Sequence, residues 1–265
     1  MVPREPAETR LRRRLNWLLN RSVGIGTAIT VLKDWESRGW APVLFGGVVR
    51  DLFVLGSRRY PRDIDVVLSN AGTDEVIGEF SGEDYRQNRF GGLHLNVARW
   101  SFDVWPLSKT WAFTTDASLS PSAENLPKTT FLDVEAIAVT LDGPNKIGQI
   151  YSNGFFRSVM ERSIDINYAR NPYPSLAAIR SIMTAYKLHF QISRRLAEYI
   201  TLTISEAGIR SLVDAQEQHY RRVLFREADI GEIFKHFVNQ LASDDRPRVN
   251  LPERYWPRQL GLWRD

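Results

Sequence analysis

Three short stretches of the sequence carry groups that could do chemistry together. The first is Gly46-Gly47-Val48-Val49-Arg50-Asp51, between the apolar run Pro42–Phe45 and a stretch with helical periodicity. Glycines at such a junction let the backbone approach an anion closely. The helix that follows points unpaired N–H groups and a partial positive charge at the same place. Arg50 adds a cation, so the stretch suits a triphosphate. A tight turn followed by a surface Arg–Asp pair would use the same residues. The second stretch is Asp63-Ile64-Asp65, leading into Val66-Val67-Leu68. Residues two apart on a strand share a face. Two carboxylates on one face repel unless a cation lies between them, and Mg²⁺ takes carboxylate and phosphate oxygens together. A turn in which one aspartate caps and the other is solvated is the bland reading. The third is Phe102-Asp103-Val104-Trp105, an aspartate inside an apolar strand. A lone buried carboxylate is costly without a partner, and Asp103 fits as a third ligand of the same metal pair. An edge strand with Asp103 facing water would also account for it. Two metals about 3.5–4 Å apart can clamp the attacking and leaving oxygens of an in-line phosphoryl displacement.

These groups need elements to position them. Pro42–Phe45 reads as a short strand, Val48–Leu55 as a helix ending at Gly56, and Ile64–Leu68 as a second strand. Leu93–Ala98 and Trp100–Trp105 alternate like a hairpin, and Glu135–Leu141 reads as a further strand closed by the turn Asp142-Gly143-Pro144. Residues 8–21 read as a basic amphipathic helix, with Leu11, Leu15, Trp17, Leu18 and Leu19 against Arg10, Arg12, Arg13 and Arg14; a second helix runs from Gly26 to Arg38. After Pro174 the pattern is helical: Ser175–His189, Ser193–Ile204, Ile209–Phe225 and Ile230–Leu241, with an extended tail from Ser243. The expected architecture is α+β, a small mixed sheet flanked by helices over residues 1–170, then an all-helical neck and short body over 171–265.

The chain has 265 residues, enough for one large or two small domains at roughly 100–200 residues each. With 43% hydrophobic and 25% charged residues it is an ordinary globular composition. It contains no cysteine, which excludes disulfide scaffolds, thiol nucleophiles and iron–sulfur sites and fits a reducing, cytoplasmic compartment. The polar, Arg-rich start is no secretory signal, and no apolar run approaches the ~18 residues of a membrane span. The net charge is +4, and only six of the 35 basic residues are lysines. Arginine grips phosphate with a planar fork, so this balance suits nucleotides or nucleic acid, though composition bias would produce it too.

The order of the three stretches resembles the polymerase-β-like nucleotidyltransferase superfamily, and within it the head of class II CCA-adding enzymes and bacterial poly(A) polymerases. Leu44-Phe45-Gly46-Gly47-Val48-Val49-Arg50-Asp51-Leu52 and Pro61-Arg62-Asp63-Ile64-Asp65-Val66-Val67 carry the resemblance. The run from Arg89-Phe90-Gly91-Gly92 to Phe102-Asp103-Val104 resembles the family's next hairpin, Glu135–Gly143 the following strand, and Ala178-Ile179-Arg180 to Gln191-Ile192 the neck helix. The resemblance covers roughly residues 40–200. It implies that Asp63, Asp65 and Asp103 are catalytic and bind two Mg²⁺ or Mn²⁺ ions. It also implies that Gly46, Gly47, Arg50, Asp51 and Arg180 hold the incoming nucleotide. The implied reaction moves a nucleoside monophosphate from an NTP or dNTP to an acceptor hydroxyl, releasing pyrophosphate.

Two stretches depart from the family. Where it carries an Arg-Asp pair before the strand matching Glu135–Leu141, this chain has Thr129-Thr130-Phe131-Leu132. Where the neck helix opens with an aspartate and successive arginines that read the base, this chain has Tyr173-Pro174-Ser175-Leu176-Ala177-Ala178-Ile179-Arg180, keeping only Arg180. The stretch after the neck is also short for a body that grips the tRNA elbow. Housekeeping CCA addition is therefore not expected. The acceptors left open are an RNA or tRNA 3′ end, an oligonucleotide signal of antiviral defence, and the target of a toxin. A non-catalytic nucleotide-binding module is the non-enzymatic alternative, and the Asp63–Asp65 pair argues against it.

The remaining candidates weigh less. Gly24-Ile25-Gly26 lacks the third glycine of a dinucleotide fingerprint. The histidines His94, His189, His219 and His236 are scattered and read as structural. Trp100, Trp105 and Trp111 could stack bases but read as core, and Tyr255-Trp256-Pro257 could bind a strand or dock back on the body.

Overall fold

The computed structural model describes residues 5–21, 33–56, 63–72, 75–76, 85–87, 92–97, 100–143, 146–243 and 245–253, with the side chains of Arg21, Asp63, Tyr85 and Val97 excepted. Part of the Gly26–Arg38 helix expectation, together with Gly24–Gly26, Pro61-Arg62, Arg89–Gly91 and Tyr255–Pro257, lies outside these residues; 33–37 are helical. The chain forms two compact units, Met1–Thr130 with Val134–Phe156, and Phe131–Asp133 with Arg157–Asp265.

The first unit is built on a seven-stranded mixed sheet in the order β3-β4-β5-β2-β1-β6-β7. Its strands are β1 (Pro42–Phe45), β2 (Asp63–Leu68), β3 (Tyr85–Gln87), β4 (Leu93–Val97), β5 (Trp100–Pro106), β6 (Ile137–Leu141) and β7 (Ile147–Ser152). β1 is buried at all four positions because it lies between β2 and β6, antiparallel to both. A short, wholly apolar strand is the pattern such a position requires. β2 runs parallel to β5, with Ile64 beside Phe102 and Val66 beside Val104. Those four side chains are buried, while Asp65, Ser101 and Asp103 take the less buried alternate positions. One core cluster joins Val43, Phe45, Val67, Leu107, Phe113, Leu126 and Ala138, with Trp105 packed against it. Trp105 meets Phe45 edge-on and donates its indole N–H to Thr110. Trp100 is buried.

The N-terminal helix α1 (Ala7–Arg21) buries Leu11, Leu15, Leu18 and Leu19. Arg10, Arg12 and Arg14 are committed within the unit. Arg14 donates to the carbonyls of Leu52 and Phe53 at the end of α2 (Gly47–Leu55), Arg10 lies 4.4 Å over the Phe53 ring, and Arg12 donates to the Gly148 carbonyl. The last carbonyls of a helix lack intrahelical partners and carry negative charge, so a basic helix alongside satisfies them. α3 (Trp111–Thr115) follows β5.

Helix α4 (Phe155–Glu161) begins in the first unit and ends in the second. The second unit is predominantly helical: α5 (Pro174–Leu188), α6 (Arg194–Ala207), α7 (Ile209–Tyr220) and α8 (Glu227–Ser243). It also holds a three-stranded sheet that the sequence does not signal, β10-β9-β8, from β8 (Ser163–Ile164), β9 (Gln191–Ser193) and β10 (Arg248–Val249). The helical run starts at Pro174 as the sequence indicates. Residues 157–170 already belong to the second compact unit, where β8 pairs with β9. α6 is capped by Ser193, whose hydroxyl accepts the Leu196 N–H. α7 ends at Arg221 rather than running to Phe225. There the backbone turns left-handed, and the fully buried Gln216 side chain takes up the Leu224 and Phe225 N–H groups and the Phe225 carbonyl. Among the described residues no helix is long and apolar enough to cross a membrane.

Candidate active site

The exit of β1 is a turn that only glycine takes comfortably. Gly46 has φ 62° and ψ −120°, and it is the N-cap of α2 with no side chain capping the helix. Its N–H donates to the Ile137 carbonyl and its own carbonyl accepts from the Arg50 N–H, which ties the turn to β6 below and to α2 above. A Cβ placed on Gly46 would lie 3.9 Å from Asp65 Oδ2, and one on Gly47 would lie 3.8 Å from the same atom. The Asp65 carboxylate therefore rests against the Gly46–Gly47 backbone. Its approach follows from the antiparallel β1–β2 pairing, which sets Leu44 opposite Val66.

The neighbouring strand brings the next acid. The parallel register of β2 and β5 sets Asp65 beside Asp103 and Asp63 beside Ser101. Adjacent strands lie about 4.8 Å apart, so the register alone brings two like-charged groups together. Asp103 is 38% exposed and contacts His94: Nδ1 of His94 is 2.9 Å from Asp103 Oδ1. Among the described residues no group of three His, Asp or Glu side chains converges as a metal site. Asp65 and Asp103 offer oxygen donors on neighbouring strands, both partly open to solvent, and Asp65 lies against the glycine turn. That donor set fits a hard divalent ion.

Arg50 is 6% exposed. Its Nε and Nη2 both meet Asp51 Oδ1 at 2.8 Å, and its Nη1 is bonded to Glu135 Oε1. Nη2 also lies 3.6 Å from where a Gly47 Cβ would sit, so the guanidinium lies beneath the turn. The sequence places Glu135 at the start of a strand and gives it no role in the site; in the structure residues 133–135 form a short 3-10 turn and β6 begins at Ile137. The available signal was a charge directly ahead of the fully buried run Ala136–Val139, because a charge entering a core must have a partner. His94, which the sequence reads as structural, is set opposite Asp103 by the hairpin register.

The fold that carries this arrangement has counterparts among solved structures. A CCA-adding enzyme in complex with CTP matches with a TM-score of 0.59 at 17% identity, covering 89% of this chain and 55% of that one. The fold is that of the CCA-adding enzymes. The Thermotoga maritima CCA-adding enzyme complexed with tRNA-CCA matches with a TM-score of 0.56 at 16% identity, over 85% of this chain and 53% of that one. A tRNA nucleotidyltransferase complexed with a primer tRNA and an incoming ATP analogue matches at 0.52 and 15% identity, over 80% and 62%. This chain thus spans little more than half the length of these structures. No protein-family model matches the sequence, and no curated protein matches it. Within this CCA-adding-enzyme fold, Gly46, Gly47, Arg50, Asp51, Asp65 and Asp103 come together in the first unit. Asp63 takes the β2 position two before Asp65. Arg180 belongs to the second unit, exposed on α5.

The Gly46 conformation carries an expected result of its own. Gly46→Ala forces a Cβ into a backbone region held almost only by glycine, at a cost of about 1–3 kcal/mol. A lowered midpoint in thermal unfolding is the expected outcome; an unchanged midpoint would mean that the turn relaxes freely.

Proposed function

We propose that this protein is a metal-dependent nucleotidyltransferase, with residues 1–170 as the head that carries the reaction and 171–265 as neck and body. The observation that carries this reading is the register of Asp65 beside Asp103 against the Gly46–Gly47 turn, in a chain with the CCA-adding-enzyme fold. Asp63, Asp65 and Asp103 would hold two Mg²⁺ or Mn²⁺ ions. When bound, these supply charge neutralisation at the triphosphate and acidify the acceptor hydroxyl. The chain's own groups do the rest. The α2 N-terminus behind Gly46 and Gly47 receives phosphate oxygens on backbone N–H groups. Arg50, paired beneath the turn with Glu135 and Asp51, supports that cradle and positions it. The acceptor oxygen attacks the α-phosphorus in line, the bond to the bridging oxygen breaks, and pyrophosphate leaves. The absence of cysteine supports a reducing compartment, the cytoplasm, as the place of the reaction.

The acceptor is an RNA or oligonucleotide hydroxyl on this reading, which suits an arginine-rich chain. An RNA 3′ end and an oligonucleotide signal of antiviral defence are its two forms. The deciding experiment incubates the protein with each labelled nucleotide, Mg²⁺ or Mn²⁺, and total RNA, and resolves products on a denaturing gel. A labelled RNA band supports 3′-end addition. A short ladder without added RNA supports signal synthesis, and a labelled protein band points to a toxin. No incorporation with either metal refutes nucleotidyl transfer and leaves a binding module.

By the resemblance, the residues that open α5 would be the ones that select the base. Pro174 is its first residue, Ala177 and Ala178 are buried, and Ser175 donates its hydroxyl to Ser211. None of these offers a bidentate contact to a base edge. Arg180 and Lys187 carry donors only. A site with few polar contacts discriminates weakly, so one preferred nucleotide or loose selectivity is expected, without ordered C-C-A addition. Offering the four ribonucleotides and four deoxyribonucleotides to a tRNA lacking its 3′ end tests this. Sequential C, C and A, stopping after A, would overturn it.

A further inference from the structure

The antiparallel register of β4 and β5 sets His94 opposite Asp103, with Ser101 two positions earlier on β5. These side chains form one hydrogen-bonded chain. Ser101 Oγ is 3.2 Å from His94 Nε2, and His94 Nδ1 is 2.9 Å from Asp103 Oδ1. The direction of the chain is set by its ends. An ionised carboxylate only accepts, so Nδ1 carries the proton and donates it to Asp103. Nε2 then accepts, and the Ser101 hydroxyl donates to it. The carboxylate therefore selects the ring tautomer, the serine hydroxyl caps the other nitrogen, and the ring presents a fixed donor to one oxygen of the carboxylate. Asp103 Oδ2 has no hydrogen bond among the described residues, which leaves that oxygen's lone pairs for a cation.

We propose that His94 is a positioning residue that orients Asp103 as a metal ligand, with Ser101 restraining the imidazole through its far nitrogen; this rests on the nucleotidyl-transfer reading. The physical need is specific to this site. Aspartates placed side by side by the β2–β5 register repel one another before a metal arrives, and Asp103 has side-chain torsions with which to swing away. A donor on Oδ1 restrains that swing at no cost in charge. Partners that hydrogen-bond a liganding group set its orientation, and their loss costs about 10- to 100-fold in metal affinity.

Two near-isosteric substitutions separate the two nitrogens. In His94→Asn the amide nitrogen takes the place of Nδ1 and keeps the donor to Asp103. In His94→Gln the amide reaches where Nε2 was and loses that donor. Mn²⁺ is titrated calorimetrically into the full chain, with and without a non-hydrolysable ATP analogue. Thermal unfolding of each metal-free variant runs alongside. Expected are Mn²⁺ affinity within about threefold of wild type for His94→Asn and a loss of about 10- to 100-fold for His94→Gln. Ser101→Ala should fall between them. The activating Mg²⁺ concentration should rise in the same order while saturating metal restores most of the turnover. Wild-type Mn²⁺ affinity in His94→Gln, or equal losses in both His94 variants, would overturn the assignment. If the wild-type protein binds Mn²⁺ no better than Asp65→Asn does, the metal-site reading itself fails, and the role of His94 with it. Wild-type affinity in His94→Gln beside a weakened Asp65→Asn removes only His94.

Discussion

Asp65→Asn is expected to lower nucleotidyl transfer by on the order of a thousandfold or more, and Asp63→Asn to do the same. The amide keeps the shape of the carboxylate but removes the charge that a divalent ion needs, at the point where phosphate charge must be met. The fold should not suffer. Asp65 lies beside Asp103 in the β2–β5 register, and neutralising one of two like charges relieves repulsion in the metal-free protein. The expected pattern is therefore lost activity with an equal or slightly raised unfolding midpoint. Single-turnover incorporation at saturating Mn²⁺, measured beside thermal unfolding, checks both halves. Wild-type turnover in either variant would remove these aspartates from the chemistry. A lowered midpoint with partial activity would make Asp65 a structural residue of the turn.

Arg50→Ala should act first on stability. The guanidinium is buried between Asp51 and Glu135, whose side chains are 15% and 9% exposed. Removing it leaves two largely buried carboxylates without their cation, which costs about 3–5 kcal/mol. In a unit of this size that lowers the midpoint by roughly 10 °C. Arg50→Met combined with Glu135→Leu should recover only part of the loss, because the Arg50–Glu135 pair is replaced by apolar groups while Asp51 still loses its contact with the guanidinium. Equilibrium denaturation of the single and double variants tests this, and equal stability of Arg50→Ala and wild type would refute it. Nucleotide affinity, titrated well below the midpoint, then isolates the contribution of Arg50 to the phosphate cradle. The sequence suggests a direct contact worth roughly ten- to a hundredfold, whereas a guanidinium committed beneath the turn acts through field and shape.

Much of the first unit was legible because its signals are local. The apolar run Pro42–Phe45 stops at two glycines, and the observed strand has those bounds. Gly46 does adopt a positive φ, as the sharp change from strand to helix demands. The alternation in Trp100–Trp105 appears as alternating burial in β5. The period of a strand and the conformational freedom of glycine are properties of neighbouring residues, so no distant partner is needed to read them.

What the sequence determined by itself was thus the inventory: a glycine turn, three aspartates, and strands and helices to carry them. Tertiary structure decided which of these meet. The β2–β5 pairing is parallel and joins strands far apart in the chain, so nothing local specifies that Asp65 lies beside Asp103 rather than beside its neighbour. Arg50 and Glu135 are 85 residues apart, and only the placement of β1 between β2 and β6 brings the turn before β6 under α2. A buried charge is stable wherever a partner of opposite sign reaches it, and which partner does so is a property of the packed sheet. The same holds for β8 and β9, each too short to be told from a loop until they pair. Local periodicity fixes how a residue faces; long-range pairing fixes what it faces.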